Sequence, residues 1–118
     1  QWRFKAVTAD ILNLNYSETT YEVYKPDGSS SSFTDIPDTI INTSCEHITQ
    51  DQYDLWLAGL PHNSLLVLQS NNYNITEHVR TAIDLEEFKT QCGIKVVWSG
   101  ELILPLYTRW MIIGRKDV

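Results

Sequence analysis

Ile94–Gly114 reads IKVVWSGELILPLYTRWMIIG, and this stretch decides the fold. Every even position from Ile94 to Leu106 is apolar or glycine, whereas Lys95 and Glu101 stand at odd positions. This alternation is typical of a strand with one buried face. The run Trp110–Ile113 is apolar at every position, as in a strand covered on both faces. We therefore expect this stretch to supply the centre of a sheet.

The N-terminal part of the chain also has the pattern of strands. Trp2–Asn15 predicts a long strand with a bend or bulge near Ala9–Asp10, where polar residues interrupt its apolar face. Thr19–Lys25 is rich in β-branched and aromatic residues and predicts a second strand. Pro26–Gly28 has the residues of a tight turn. Ser29–Phe33 is therefore expected either to return as a short third strand or to form a loop tip.

The middle of the chain predicts a loop, a helix and a buried strand. Thr34–His47 is expected to be irregular, because Pro37 lacks a ladder donor and the neighbouring Asp, Asn and Ser residues favour turns. Thr49–Leu60 has helical apolar spacing, and its first residue and Gln52 fit a capping box. The short apolar run Ser64–Gln69 predicts a buried strand.

Thr76–Cys92 predicts two short helices or one bent helix. Asp84 fits the start of the second helical turn, and Gly93 fits the C-terminal cap. The order of strands and helices along residues 1–118 predicts one α+β domain. We expect a mixed, mostly antiparallel sheet with two or three short helices packed on one face.

Composition and charge argue against some classes of function. The chain of 118 residues carries 15 acidic and 9 basic side chains, for a net charge of −6. A general nucleic-acid binder needs a basic surface, so we expect none here. No stretch approaches the roughly 20 apolar residues of a membrane span, and no signal-peptide core is visible. We expect no membrane association and favour a cytoplasmic location.

Cys45-Glu46-His47 is the densest reactive cluster in the sequence. A nucleophilic cysteine needs a base within hydrogen-bond reach, so Cys45 and His47 are the candidate catalytic pair, with His62 or His78 as further bases. The alternative interpretation is a buried thiol beside a histidine. We favour that interpretation for Cys45, and we expect Cys92 to be buried and reduced as well.

The sequence predicts no metal site and no cofactor. Zinc sites need three or four ligands at characteristic spacings. His47, His62 and His78 are dispersed, and no CxxC or HxxxH motif or phosphate-binding glycine loop is present.

Thr19–Tyr24 is the predicted recognition surface. Charge protects the edges of sheets, yet this strand carries only Glu22. Tyr21 and Tyr24 are predicted anchors, because tyrosine buries a large area with few rotatable bonds. Val23 is included because strand addition would use both faces of the strand.

These observations predict a non-enzymatic binding, assembly or regulatory module that acts through protein–protein contacts, with a protein partner or a second copy of the chain. Small size, acidity and the lack of catalytic motifs suggest a viral or mobile-element protein. Two alternatives remain open. One is a small enzyme with a Cys/His or His/carboxylate centre, and the other is an acidic inhibitor that mimics nucleic acid.

Overall fold

A computed structural model describes Ala6 and residues 8–117, with the backbone alone at Tyr21. The described residues form an α+β fold with two sheets and two α-helices, which confirms the predicted class. The strands are β1 (Thr19–Tyr24), β2 (Ser30–Asp35), β3 (Thr39–Asn42), β4 (Leu65–Asn71), β5 (Lys95–Ile103) and β6 (Thr108–Arg115). The helices are α1 (Gln50–Ala58) and α2 (Leu85–Cys92), and short 3₁₀ turns occur at Ile11–Asn13 and Cys45–His47.

The main sheet has the strand order β3-β4-β6-β5. β3 and β4 run parallel and are connected through α1, whereas β6 is antiparallel to both of its neighbours. β1 and β2 form a separate antiparallel hairpin. Gly28 closes its turn with a φ of 87°, a backbone conformation that glycine adopts without a steric penalty.

Both α-helices pack on one face of the main sheet, as predicted. Tyr53 and Trp56 of α1 and Phe88 of α2 share a buried cluster with Leu68 and Ile112 of the central strands. We call this side of the sheet the covered face. Two hydrogen bonds fix its polar aromatics: the Tyr53 hydroxyl donates to the Cys92 carbonyl at 2.7 Å, and the Trp56 indole donates to the Tyr16 hydroxyl at 3.1 Å.

The predicted capping residues set the ends of the helices. Thr49 and Gln52 form a reciprocal capping box at the start of α1. The Asp84 carboxylate accepts from the Glu87 amide at the start of α2, and Gly93 ends that helix with a φ of 59°. Because both signals depend on local backbone chemistry, they could be predicted without knowledge of the tertiary structure.

The predicted long strand Trp2–Asn15 is wrong for its described C-terminal part. Asp10 accepts a hydrogen bond from the Leu12 amide at 2.9 Å and so starts a 3₁₀ turn where a strand was expected. Residues 1–5 and 7 lie outside the described part of the chain. The polar residues near position 10 therefore cap a turn instead of forming a bulge.

The interval Thr34–His47, expected to be irregular, contains β3. Ile40 and Ile41 lie opposite Leu66 and Val67 in a parallel ladder. A strand of four residues has too short a pattern to be recognised, and its stability comes from β4 beside it.

The helix predicted from Thr76 does not form. The amides of Val79 and Arg80 donate to the Glu46 carbonyl, and the Ala82 amide donates to the Asn71 carbonyl. Since these donors are used in tertiary contacts, they do not build helical i to i−4 bonds. In this part of the chain only α2 is helical.

The alternation in the sequence predicted that the apolar even positions of β5 are buried. In the structure, Trp98 and Leu102 are exposed instead. Val96 lies opposite Gly114 and Trp98 lies opposite Ile113, so Val97 is an extra residue that forms a β-bulge. From Trp98 onward the even residues face away from the helices. Trp98 is 51% exposed and Leu102 is 55% exposed.

We expect Trp56→Ala to lower the free energy of unfolding by about 3–5 kcal/mol, the usual cost of removing a large core aromatic. The side chain is buried, and its loss also removes the hydrogen bond to Tyr16. Chemical denaturation measures the change. The neighbouring Leu55 is exposed on the same helix, so Leu55→Ala should change stability by less than about 0.5 kcal/mol. Equal effects of the two substitutions would contradict the assigned helix face.

Candidate functional site

The predicted recognition strand Thr19–Tyr24 is present as β1 and pairs with β2 along its full length. Tyr24 is 61% exposed, and its hydroxyl donates to Glu22 at 2.8 Å. Val23 is only 5% exposed, so its side chain packs within the protein. The side chain of Tyr21 lies outside the described part. The assignment of this strand to a partner surface stays a prediction.

The Cys45 thiol is buried in the core, which does not suit a nucleophile. Cys45 and Cys92 are both free and buried, as expected from the sequence. The Cys45 thiol donates to the Asn42 carbonyl at 3.7 Å. Its pKa is raised to about 12, mainly by burial; the nearby Arg80 opposes this rise, and the Glu46 carboxylate adds to it. A thiol with this pKa is protonated at neutral pH and is a poor nucleophile.

The side-chain contacts that the structure shows for His47 are with Glu46 and His78. The His47 side chain is partly exposed. The His47 and His78 rings lie edge to face with centroids 4.8 Å apart, although the two residues are 31 positions apart (78 minus 47) in the sequence. The local sequence Cys45-Glu46-His47 contains no signal for this contact, because the loop that carries His78 is placed by tertiary hydrogen bonds.

The face of the main sheet opposite to the helices, called the open face below, carries a second set of apolar side chains. In the ladder, Ile41, Val67, Ile113 and Trp98 lie side by side across all four strands. Leu65, Met111 and Leu102 lie on the same side because side chains alternate along a strand. None of these side chains belongs to the core cluster under the helices. This surface could not be predicted from the alternation in β5, because that alternation predicted the apolar face of the strand in the core.

The open face is cationic at its margins. Lys95 and Arg115 lie opposite each other, and Arg109 lies opposite Leu102. The carboxylate of β5, Glu101, lies opposite Trp110 and therefore points to the other side of the sheet. Within the described residues, none of the three cations has a carboxylate within salt-bridge distance. Although the chain has a net charge of −6, the charged side chains at the strand positions of this face are all cations.

Trp98 has a defined position on this face. A Cβ at Gly100 would lie 2.6 Å from the Trp98 ring, which shows that the indole lies over the glycine. The ring therefore forms a flat, exposed platform beside Met111, the residue opposite Gly100. Large aromatic side chains held in this way are favoured in recognition surfaces because little rotamer entropy is lost on binding.

Compared with known proteins, the chain matches no family model, no curated protein and no solved structure. Among the described residues, no helix has the length and apolar character to cross a membrane. The geometry of the surfaces above is therefore the basis for a functional proposal.

We expect Cys45 and Cys92 to resist alkylation by iodoacetamide at pH 8 in the folded protein and to react rapidly after unfolding in guanidinium. With a pKa of about 12 for Cys45, only about one thiol in ten thousand is ionised at that pH. Peptide mass mapping assigns the modified site, and Cys45→Ser isolates the reaction of Cys92. Rapid, stoichiometric modification of Cys45 in the folded chain would restore the nucleophile hypothesis.

The same pKa shift predicts the pH dependence of stability. The folded-state pKa of Cys45 lies above its ordinary value of 9.0. The protonated thiol therefore contributes its full share of the folding stability below pH 9. The free energy of unfolding then falls as the pH rises from 9 toward about 12, because the unfolded chain loses this proton more readily than the folded one. Denaturation midpoints measured across this range for the wild type and Cys45→Ser test the prediction, because the substituted protein should lose less stability.

Proposed function

We propose that the protein is a non-enzymatic binding module that acts through protein–protein contacts, and that its open face receives an amphipathic helix of a partner protein. The observation that carries the proposal is the apolar row Ile41, Val67, Ile113 and Trp98, which crosses all four strands on the side opposite to α1 and α2. Contiguous exposed apolar surface of this kind is typical of interaction sites.

The choice of a helix as the occupant follows from the layering of α+β folds. An apolar sheet face is normally covered by helices or by a second sheet. On the covered face of this sheet, α1 and α2 already provide such a layer. Four strands spaced about 4.8 Å apart give a platform about 14 Å across between the outer strands, which accommodates one helix of about 10 Å diameter.

The charges around the open face indicate the charge of the partner helix. Lys95, Arg109 and Arg115 border the apolar row, and the strand positions of this face include no Asp or Glu. A helix with an apolar stripe flanked by acidic residues complements this arrangement, whereas a basic helix would be repelled. Since these cations lie at the margin, they mainly affect the orientation of the bound helix and its rate of association. Added salt should weaken this electrostatic effect.

The alternative functions are less well supported by the geometry. The Cys/His enzyme lacks an accessible thiol, because Cys45 is fully buried. The cluster of Glu46, His47 and His78 is the observation that favours a His/carboxylate centre. No observation favours a nucleic-acid mimic, and the surface with the clearest recognition features is cationic.

Selection from a displayed library tests the proposal. The probe is a set of helical peptides with a fixed apolar stripe and randomised flanking positions. We expect selected peptides to be enriched in Asp and Glu at the flanks. Titration of a selected peptide should show that Leu102→Glu weakens binding by about tenfold or more, because it places an acidic group on the apolar face, and tenfold is about 1.4 kcal/mol.

Leu55→Glu is the matched control for this substitution. Leu55 is 73% exposed on α1 and lies away from the open face. It should leave peptide affinity unchanged, and both variants should keep the wild-type denaturation midpoint. Enrichment of Lys and Arg, or equal loss of binding in both variants, would contradict the proposal. A sedimentation mass that falls from dimer to monomer in Leu102→Glu would assign the open face to self-association instead.

β1 is proposed as a second contact surface, one that adds a strand from another chain. In the described part of the protein β1 pairs with β2 alone, and strand addition supplies main-chain hydrogen bonds at such an edge. We expect Tyr21→Lys to reduce the concentration-dependent increase of sedimentation mass. Tyr24→Lys probes the other side of the strand, and Val23 is unsuitable because it is buried. If neither substitution changes the mass or partner binding, β1 is not a contact surface.

A further inference from the structure

Three metal-ligating side chains converge at the 3₁₀ turn Cys45–His47. The Glu46 Oε1 atom lies 3.7 Å from His47 Nε2 and 4.0 Å from His78 Nε2. The three ligand atoms all lie within 4.8 Å of one another. Two imidazole nitrogens and one carboxylate oxygen are ligands that Zn²⁺ and related divalent transition metals accept.

His78 is held in the form that a metal requires. Its Nδ1 lies 2.6 Å from the Tyr73 carbonyl oxygen. A carbonyl can only accept, so Nδ1 carries the proton and the Nε2 atom toward Glu46 is left with its lone pair in the neutral ring. Histidine ligands of metals are oriented by the same kind of hydrogen bond from the other ring nitrogen. The side chain is only 8% exposed, which limits other orientations.

Glu46 provides an independent reason for a cation at this position. Its side chain is 7% exposed, and its Oε2 atom is buried with no hydrogen-bond partner among the described residues. A buried carboxylate is costly unless a cation or several donors compensate its charge. Arg109 lines a polar cavity together with Glu46 but makes no ion pair with it. Among the described residues, the basic groups within 4.0 Å of the Glu46 carboxylate are the two histidine rings.

The backbone keeps the ligands together. The Glu46 carbonyl accepts from the Val79 amide at 2.9 Å and from the Arg80 amide at 3.2 Å. These bonds fix the loop that carries His78 against the turn that carries Glu46. The positions of the three ligands are therefore set by backbone hydrogen bonds as well as by side-chain contacts.

We propose that Glu46, His47 and His78 form a binding site for a divalent transition-metal ion, with Zn²⁺ as the best fit. In tetrahedral coordination with bonds of about 2.1 Å, ligand atoms stand about 3.4 Å apart. The Glu46–His47 distance of 3.7 Å and the Glu46–His78 distance of 4.0 Å need small adjustments only. The widest separation, within 4.8 Å, closes by rotation of the His47 ring, which is partly exposed.

The ligand set also defines the class of site. Three protein ligands leave one coordination position for water or an added ligand, whereas closed structural zinc sites use four. Glu46 lines a polar cavity that also includes Ser70 and Asn71. Water or a small polar ligand can occupy the remaining position. None of the three proposed ligands belongs to the open face, so the site does not depend on the function proposed for that face.

Metal titration tests the site directly. The untagged chain, freed of metal with a chelator, is titrated with Zn²⁺ in competition with a chromophoric chelator. We expect one Zn²⁺ per chain and an increase in melting temperature, because a ligand that binds only the folded state stabilises it. Co²⁺ should give the intense visible absorption of tetrahedral coordination.

His47→Ala is the primary variant, because its partly exposed side chain can be removed without unfolding the chain. It should weaken Zn²⁺ binding by more than about tenfold, since even residues that only orient metal ligands contribute about 10–100-fold. Glu46→Gln keeps the shape of the side chain and removes its charge, and it should weaken binding to a similar degree.

His62→Ala is the matched control, because His62 is exposed and lies outside the cluster. It should bind Zn²⁺ with wild-type affinity and show the same melting shift. Failure of the wild type to bind Zn²⁺ would overturn the proposal. So would an equal loss of affinity in His62→Ala and His47→Ala, or folded His47→Ala and Glu46→Gln proteins that retain wild-type affinity.

Discussion

Arg80 makes the contacts on which the arrangement of the covered face depends. Its guanidinium donates to Gln50 at 2.7 Å and to the Cys45 carbonyl at 2.9 Å, and it lies 4.7 Å from the centre of the Tyr53 ring. Gln50 in turn donates to the Gln91 carbonyl at 2.9 Å. One half-buried cation thus connects an irregular loop, the turn after β3 and both helices. Charge-assisted bonds in such surroundings are roughly twice as strong as neutral ones.

The contacts of Arg80 explain why an irregular segment can carry ordered side chains. Residues 72–84 contain no helix or strand, yet Ala82 is fully buried and its carbonyl accepts from the Trp110 indole at 3.0 Å. The segment has few backbone bonds of its own, and its donors are used by Glu46 and Asn71. His78 therefore reaches Glu46 because tertiary contacts fix the loop, and helix propensity has no part in it.

Local chemistry in the sequence predicted α1 and α2, whereas the long-range contacts that replace the helix expected from Thr76 were missed. Thr49 and Asp84 could be identified as caps because their partners lie three residues away. β3 was not predicted because its stability comes from a partner strand 26 positions later, counted from Thr39 to Leu65. The exposed face of β5 was assigned to the core because Val97 reverses the alternation and sequence shows no bulge. β1 was identified as a strand from its own residues and its role as a partner surface stays a prediction, whereas the open face and the histidine contact could be found only from the fold.

The bulge at Val97 has a consequence for solubility. Edge strands pair readily with copies of themselves, and β5 is a nine-residue edge strand of the described sheet with only Lys95 and Glu101 as charges. The bulge adds twist and breaks the even spacing of donors and acceptors, so a second copy cannot align a continuous ladder with it. Gly114 accommodates this distortion, since a Cβ there would collide with the Lys95 backbone carbonyl. The bulge thereby lets β5 expose Trp98 and Leu102 while its edge stays poorly suited to pairing with a second copy, which lowers the tendency to form fibrils.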